Sequence, residues 1–259
     1  MTRLRRPAAR LRAFPLLPAL VLLALSAAQP AAAQVADHLL ISEIVTTVNR
    51  VGARFIEIVN PTASDVPLEN VYLTNGTFAS NDAGYWRLLE SDASSLTAGG
   101  GTGGYFHGRF PDGAVIAAGD TINVSVTGSS VYLAAYGHLP DYEVFEEGSV
   151  ADTVPELVEA CPGSINAGTL AGGTNAVTIS AVAGSVVMYR WNGTDTVVQD
   201  LDYAHWGTNQ AYRVDKTGYA TYLADTTPSA QVALPGTAGD GKSYQRLSFS
   251  EGAEATPGN

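Results

Sequence analysis

The chain has 259 residues, with 14 Lys+Arg against 25 Asp+Glu, one cysteine, and 46% apolar residues. That apolar fraction is enough to build a core and excludes global disorder, and a single cysteine excludes an intramolecular disulfide scaffold. A net charge of −11 argues against nucleic acid as the main ligand, because affinity for the phosphate backbone comes from Lys and Arg.

The charge is unevenly placed. Residues 1–33 hold Arg3, Arg5, Arg6, Arg10 and Arg12 and no acid. An apolar stretch from Ala13 to Ala28 contains LLPALVLLAL, and Ala31-Ala32-Ala33 precedes Gln34. A basic segment, an apolar segment and small residues before a cleavage point make the pattern of a secretory signal peptide. A membrane anchor is the alternative, but spanning takes about 20 apolar residues, and Pro15, Pro18 and Pro30 interrupt this stretch. Residues 1–33 are therefore expected to be a signal peptide, leaving a mature chain with no membrane span, secreted to the extracellular space or the periplasm. Without them, nine basic residues face 25 acids, and Lys216 and Lys242 are the only lysines.

From His38 onward, period-2 alternation and β-branched runs dominate. The expected strands are His38–Val48, Ala53–Asn60, Val66–Thr74, Thr121–Thr127, Ala176–Ala181, Val186–Trp191 and Thr196–Trp206. Asn192-Gly193 separates the last two and supplies the positive φ of a tight turn. Seven short strands with turn signals predict an all-β fold, an immunoglobulin-like antiparallel β-sandwich, with a barrel as the alternative. Two long loop insertions interrupt it. The first, at about 79–112, carries the glycine-rich AGGGTGGYFHGRF; the second, at about 132–174, carries the acidic DYEVFEEGSVADTVPELVEACPGS. Val131–Tyr136 is compatible with a short helix, and Thr153-Val154-Pro155-Glu156 reads as a helix start with proline in the first turn. No linker splits residues 34–259, so one domain is expected.

Several patches share a family pattern. HLLISEIV, with Ser42-Glu43, and RFIEIVNPTASDVPLENVYLTN, with Phe55-Ile56-Glu57-Ile58-Val59-Asn60-Pro61 and Val66 to Leu73, resemble the opening of the lamin-tail domain (LTD) as found in secreted bacterial proteins. Val115 to Asp120 resembles its short x-I-x-P-G lead-in, with Ala118 in place of proline. Val187 to Trp206 resembles its late hairpin, and Ser243-Tyr244-Gln245-Arg246 with Thr256-Pro257-Gly258-Asn259 its closing S-x-Q-R…T-P-G. Asn70 stands where the family has glycine, a mild change because Asn tolerates the left-handed conformation. The resemblance implies an immunoglobulin-like module. It also implies an association, in bacteria, with secreted hydrolases.

The chemistry-bearing residues are sparse. Glu43 and Glu57 fall on neighbouring expected strands and are candidate oxygen ligands for calcium; solvated strand positions, or partners for Arg54 and Arg87, are the plainer reading, since no D-x-D-x-D-G loop occurs. Asp200 and Asp202 alternate on one strand and so are expected to share a face, where two carboxylates can hold a metal or work as acid and base; an exposed polar face explains them as simply. His38, His107, His138 and His205 form no zinc-binding spacing. His107 sits with Tyr105, Phe106 and Arg109 in the glycine-rich loop, and these four are the binding candidates. No G-x-S-x-G or phosphate-binding glycine loop is complete, and Cys161 has acids rather than bases around it. Aromatic residues in the insertions, Tyr85, Trp86, Tyr142 and Phe145 among them, offer stacking area for a sugar or a protein.

The expectation is a secreted, non-catalytic LTD-like module that binds an extracellular protein, glycan or surface. No catalytic residue and no cofactor are expected, calcium aside. The alternative is an accessory domain of a secreted hydrolase, a nuclease or phosphatase, encoded on a longer chain.

Overall fold

Alternating Ile and Val set the frame of the molecule. The computed structural model describes residues 34–46, 53–76, 84–87, 104–146, 152–161, 163–165, 177, 179–219, 222–236, 238–239 and 241–251. The expected signal peptide and the closing Thr256–Asn259 lie outside these residues. In chain order the strands are β1 (Gln34–Val35), β2 (Leu40–Ile44), β3 (Phe55–Val59), β4 (Val66–Pro67), β5 (Val71–Thr74), β6 (His107–Arg109), β7 (Val115–Ile116) and β8 (Thr121–Ser125). The helix α1 (Ser129–Tyr136) follows, then β9 (Tyr142–Glu143), β10 (Val158–Glu159), β11 (Gly184–Arg190), β12 (Gln199–Trp206), β13 (Tyr244–Gln245) and β14 (Ser250–Glu251).

These strands form two five-stranded sheets, a first of order β13-β2-β3-β8-β9 and a second of order β10-β6-β5-β11-β12, with β1–β14 and β4–β7 as two-stranded accessories. The strand pairings are antiparallel except that of β8 with β9. Ile56 and Ile58 of β3 and Ile122 and Val124 of β8 meet Val71 and Leu73 of β5 and Val186 and Met188 of β11 in one buried core. The period of 2 is what places these residues on one face. Two separate ladders facing across a core make an all-β sandwich, not the barrel alternative. Residues 33–259 form one compact unit, and no helix among the described residues is long and apolar enough to cross a membrane.

Two single-residue irregularities redirect side chains. In β2 the register with β3 shifts between Ile41 and Glu43, so Ile41 and Ile44 both face the core and Glu43 lies directly opposite Glu57. In β12 the register shifts so that Met188 pairs with Asp202 but Tyr189 pairs with Asp200. An extra residue in one strand sends its neighbours to opposite faces.

The second sheet is covered on its other face as well. Tyr72, Tyr85, Trp86, Val187, Tyr189, Val198 and Val214 form a second buried cluster there, which is why β11 is buried along nearly its whole length. The two segments expected as loop insertions also feed the sheets. The first supplies β6 and the second supplies β9 and β10, all at or near sheet edges.

The helix expected at Val131–Tyr136 is α1, closed by Gly137 at φ 82°, whose N–H donates to Leu133 O at 2.9 Å. The helix start expected at Thr153–Glu156 is corrected. That chain is extended beside β9, with Glu143 N–H donating to Pro155 O (3.1 Å) and Leu157 N–H to Glu143 O (2.8 Å). Ladder pairing has taken the backbone groups a helix would use internally. Val177 and Ile179 of the expected strand Ala176–Ala181 are buried in the main core, although no ladder is formed among the described residues there. Asn70 has φ 63° and is the one described non-glycine residue with positive φ.

Candidate functional site

The described residues of the glycine-rich segment, 104–110, are not gathered into one site. Phe106 and His107 are consecutive in an extended chain and therefore point to opposite sides. Phe106 enters the main core, its N–H held by Asn75 Oδ1 at 2.8 Å. His107 enters the aromatic cluster on the far side, hydrogen-bonded to Tyr189 Oη and edge-on to Tyr72 with ring centroids 6.0 Å apart. Burial pushes its pKa down to about 3, so it is a neutral structural imidazole at pH 7. Arg109 pairs with exposed Asp112 at 2.6 Å. Tyr105 lies against Tyr212, and burial raises its hydroxyl pKa. The four binding candidates are thus distributed over two faces.

The expectation that Asp200 and Asp202 share a face is overturned by the shift in β12. Asp200 faces the aromatic cluster, where it accepts from Tyr85 Oη at 2.7 Å and pairs with Lys216 Nζ, a lysine only 1% exposed. Burial raises the Asp200 carboxyl, while the Lys216 ammonium beside it pulls the other way. Asp202 instead reaches the first sheet, accepting from Ile41 N–H at 2.7 Å and from Arg246 Nη2 at 2.6 Å. These carboxylates act as a buried ion pair and an inter-sheet clamp. Nor can they join Glu43 and Glu57 in one calcium site, because those two lie on the outer face of the other sheet.

Glu43 and Glu57 open onto solvent. They are direct cross-strand partners and line an open cleft of about 430 Å³ with Asn123, Tyr132, Tyr136, His138 and Lys242. The wall is aromatic. Phe55 packs edge-on to Tyr132 (centroids 5.6 Å) and to Tyr136 (5.3 Å), and the two tyrosines are 4.6 Å apart. The α1 residues Tyr132 and Tyr136 are one helical turn apart, so both rings project onto the sheet. Tyr136 Oη donates to Ala53 O at 3.0 Å, fixing its ring. Ser42 Oγ donates to Glu57 Oε1 at 2.6 Å, orienting that carboxylate. Burial, then the neighbouring Tyr136 and the acids Asp141, Glu57 and Glu43, push the Tyr132 hydroxyl up to about 12, so it remains a donor at any physiological pH.

Sequence reading passed over a second acidic group. Glu143, Glu146 and Glu156 bring carboxylate oxygens within 4.8 Å of one another. Glu143 is fully buried and accepts Ser129 N–H at 2.6 Å, and Asp152 accepts from Ser129 Oγ. Glu143 thus satisfies one of the free N–H groups at the start of α1, and carboxylates there favour the helix dipole. The acidic run in the sequence was visible, but its convergence depends on β9 pairing. Cys161 is buried, and that burial, with Glu159 adding to it, raises its thiol pKa.

No protein-family model matches the chain, and no curated protein matches it. Among solved structures it is similar to a DUF4876 family protein from Bacteroides thetaiotaomicron, at 16% identity and a TM-score of 0.43, over 68% of this chain and 55% of that one. The chain therefore spans little more than half the length of that structure.

Proposed function

We propose that the protein is an exported, LTD-like, non-catalytic module that binds an extracellular ligand through the cleft between α1 and the outer face of the first sheet. The observation that carries this reading is the cleft itself. It is open, lined by the exposed ring of Tyr136 with Phe55 and Tyr132 packed behind it, and floored by the Glu43/Glu57 pair. A rigid sheet and a packed helix hold these groups in place, which lowers the entropic cost of engaging a ligand. The other polar candidates support the reading in a different way. His107, Asp200 and Asp202 are each engaged in internal bonds, whereas Glu43, Glu57 and the exposed ring of Tyr136 open onto the cleft.

The test presents the exported protein to arrays of extracellular glycans and peptides, with Tyr136→Ala beside it. Retention on a defined ligand, lost in the Tyr136→Ala protein, supports the reading. Turnover of a glycan, ester, peptide or nucleic acid by the purified protein contradicts it.

A further inference from the structure

Like charges placed directly opposite on adjacent antiparallel strands repel and destabilise a sheet. Glu43 and Glu57 are such a pair, and among the described residues no cationic side chain forms an ion pair with either. Lys242 lines the same cleft without reaching them, and one lysine against two glutamates leaves the cleft negative. Neutralising partners exist elsewhere in this molecule, since Asp200 has Lys216 and Asp202 has Arg246. At the cleft the two glutamates face each other with no such partner among the described residues, beside the exposed ring of Tyr136.

We propose that the cleft recognises an organic cation, an ammonium or guanidinium on an aliphatic stem, with Glu43 and Glu57 taking the charge and the exposed ring of Tyr136, backed by buried Phe55 and Tyr132, taking the stem. The inference rests on the binding-module reading and supplies its ligand class. The division of labour follows from the chemistry of the site. A cationic head can accept the charge of two carboxylates at once and relieve their repulsion, and aromatic rings attract both a cation and its methylenes. A bare divalent cation would use the carboxylates but none of the rings, and its preferred six to eight oxygen ligands are not gathered here. The ammonium is the shared chemistry of a small free amine and of a lysine side chain in a partner protein.

The experiment is a titration followed by the backbone amide resonances of Glu43, Glu57 and Tyr136. Pentylamine and Nα-acetyl-lysine methylamide are the probes, and pentanol, calcium chloride and maltohexaose the comparisons. Both amines should shift these resonances saturably at millimolar concentration, pentanol should not, and Glu43→Gln or Glu57→Gln should weaken amine binding by about tenfold. Tighter binding of the lysine amide assigns the cation to a protein partner, and equal binding assigns it to a free amine. Calcium shifting these residues while the amines do not overturns the inference in favour of a metal site. Maltohexaose binding alone overturns it while leaving the binding-module reading intact. Silence from every probe at the cleft overturns it too, and the binding-module reading is then decided by the ligand arrays.

Discussion

Asp202 on β12 and Arg246 beside β13 tie the two sheets together. One Asp202 oxygen accepts both Arg246 Nη2, at 2.6 Å, and the Ile41 amide of β2, at 2.7 Å. Arg246 Nε returns to Ile41 O at 3.1 Å. The carboxylate is 9% exposed and the arginine 25%, so removing one partner strands a largely desolvated charge. Asp202→Ala should lower the unfolding free energy in urea by about 2–4 kcal/mol. Arg246→Met should cost a similar amount, and the double variant clearly less than the sum of the two. Additive losses would show that the two side chains do not act as a unit.

Asp200 and Lys216 predict a pH dependence. Burial holds the folded-state pKa of Asp200 above the usual carboxylate value of 3.8, against the downward pull of Lys216. A group whose pKa is raised by folding contributes stability below its unfolded value, and that contribution is lost as pH rises through the folded value. Lys216→Met removes the downward pull, so its penalty should grow from pH 4 to pH 7, reaching about 3–5 kcal/mol at the upper end. Adding Asp200→Asn should flatten the curve. An equal penalty at both pH values would mean that the lysine contributes packing rather than charge.

His107 works in the opposite direction. Its folded pKa is depressed from 6.5 to about 3 by burial, so the folded state prefers the neutral ring. Stability is therefore complete above pH 6.5 and falls as the solution is acidified toward about 3, by about 1.4 kcal/mol per pH unit for one such group. His205, lowered to about 4 chiefly by burial, adds to the same slope. His107→Gln should make the acid limb of the stability curve shallower by about one proton's worth. An unchanged limb would show that His107 titrates normally.

Much of the frame is legible in the sequence, because alternation over five residues commits a strand's faces, as in β3 and β8, and an unbroken β-branched and apolar run marks β11. What escapes is whatever depends on one extra residue. The shifts at Ser42 and Leu201 leave no compositional mark, yet the second separates Asp200 from Asp202. The first restores Glu43 to the solvent side opposite Glu57. The aromatic layer over the second sheet was hidden for another reason. Tyr85 and Trp86 come from an insertion with no periodicity, and Val214 from a stretch with no strand, so only tertiary packing joins them. The short edge strands β6, β9 and β10 carry two or three residues each, too few for a pattern.

Asn70 gives a local check. At φ 63° it occupies the left-handed region, where a β-branched side chain clashes with its own backbone. Asn70→Val should cost about 1–2 kcal/mol, whereas Asn70→Gly should stay within about 0.5 kcal/mol of the parent. Thermal melts of the two variants compare them directly. A Val variant as stable as the Gly variant would place this turn in another conformation.

The central claim is that Glu43 and Glu57 are kept for a ligand at the expense of the free protein. The unfolding free energy of ligand-free Glu43→Gln in urea tests it most directly. Relief of the cross-strand repulsion should make this variant more stable than the parent by about 0.2–1 kcal/mol. A variant less stable than the parent would show that the carboxylate supports the fold, and the account of the cleft would fail.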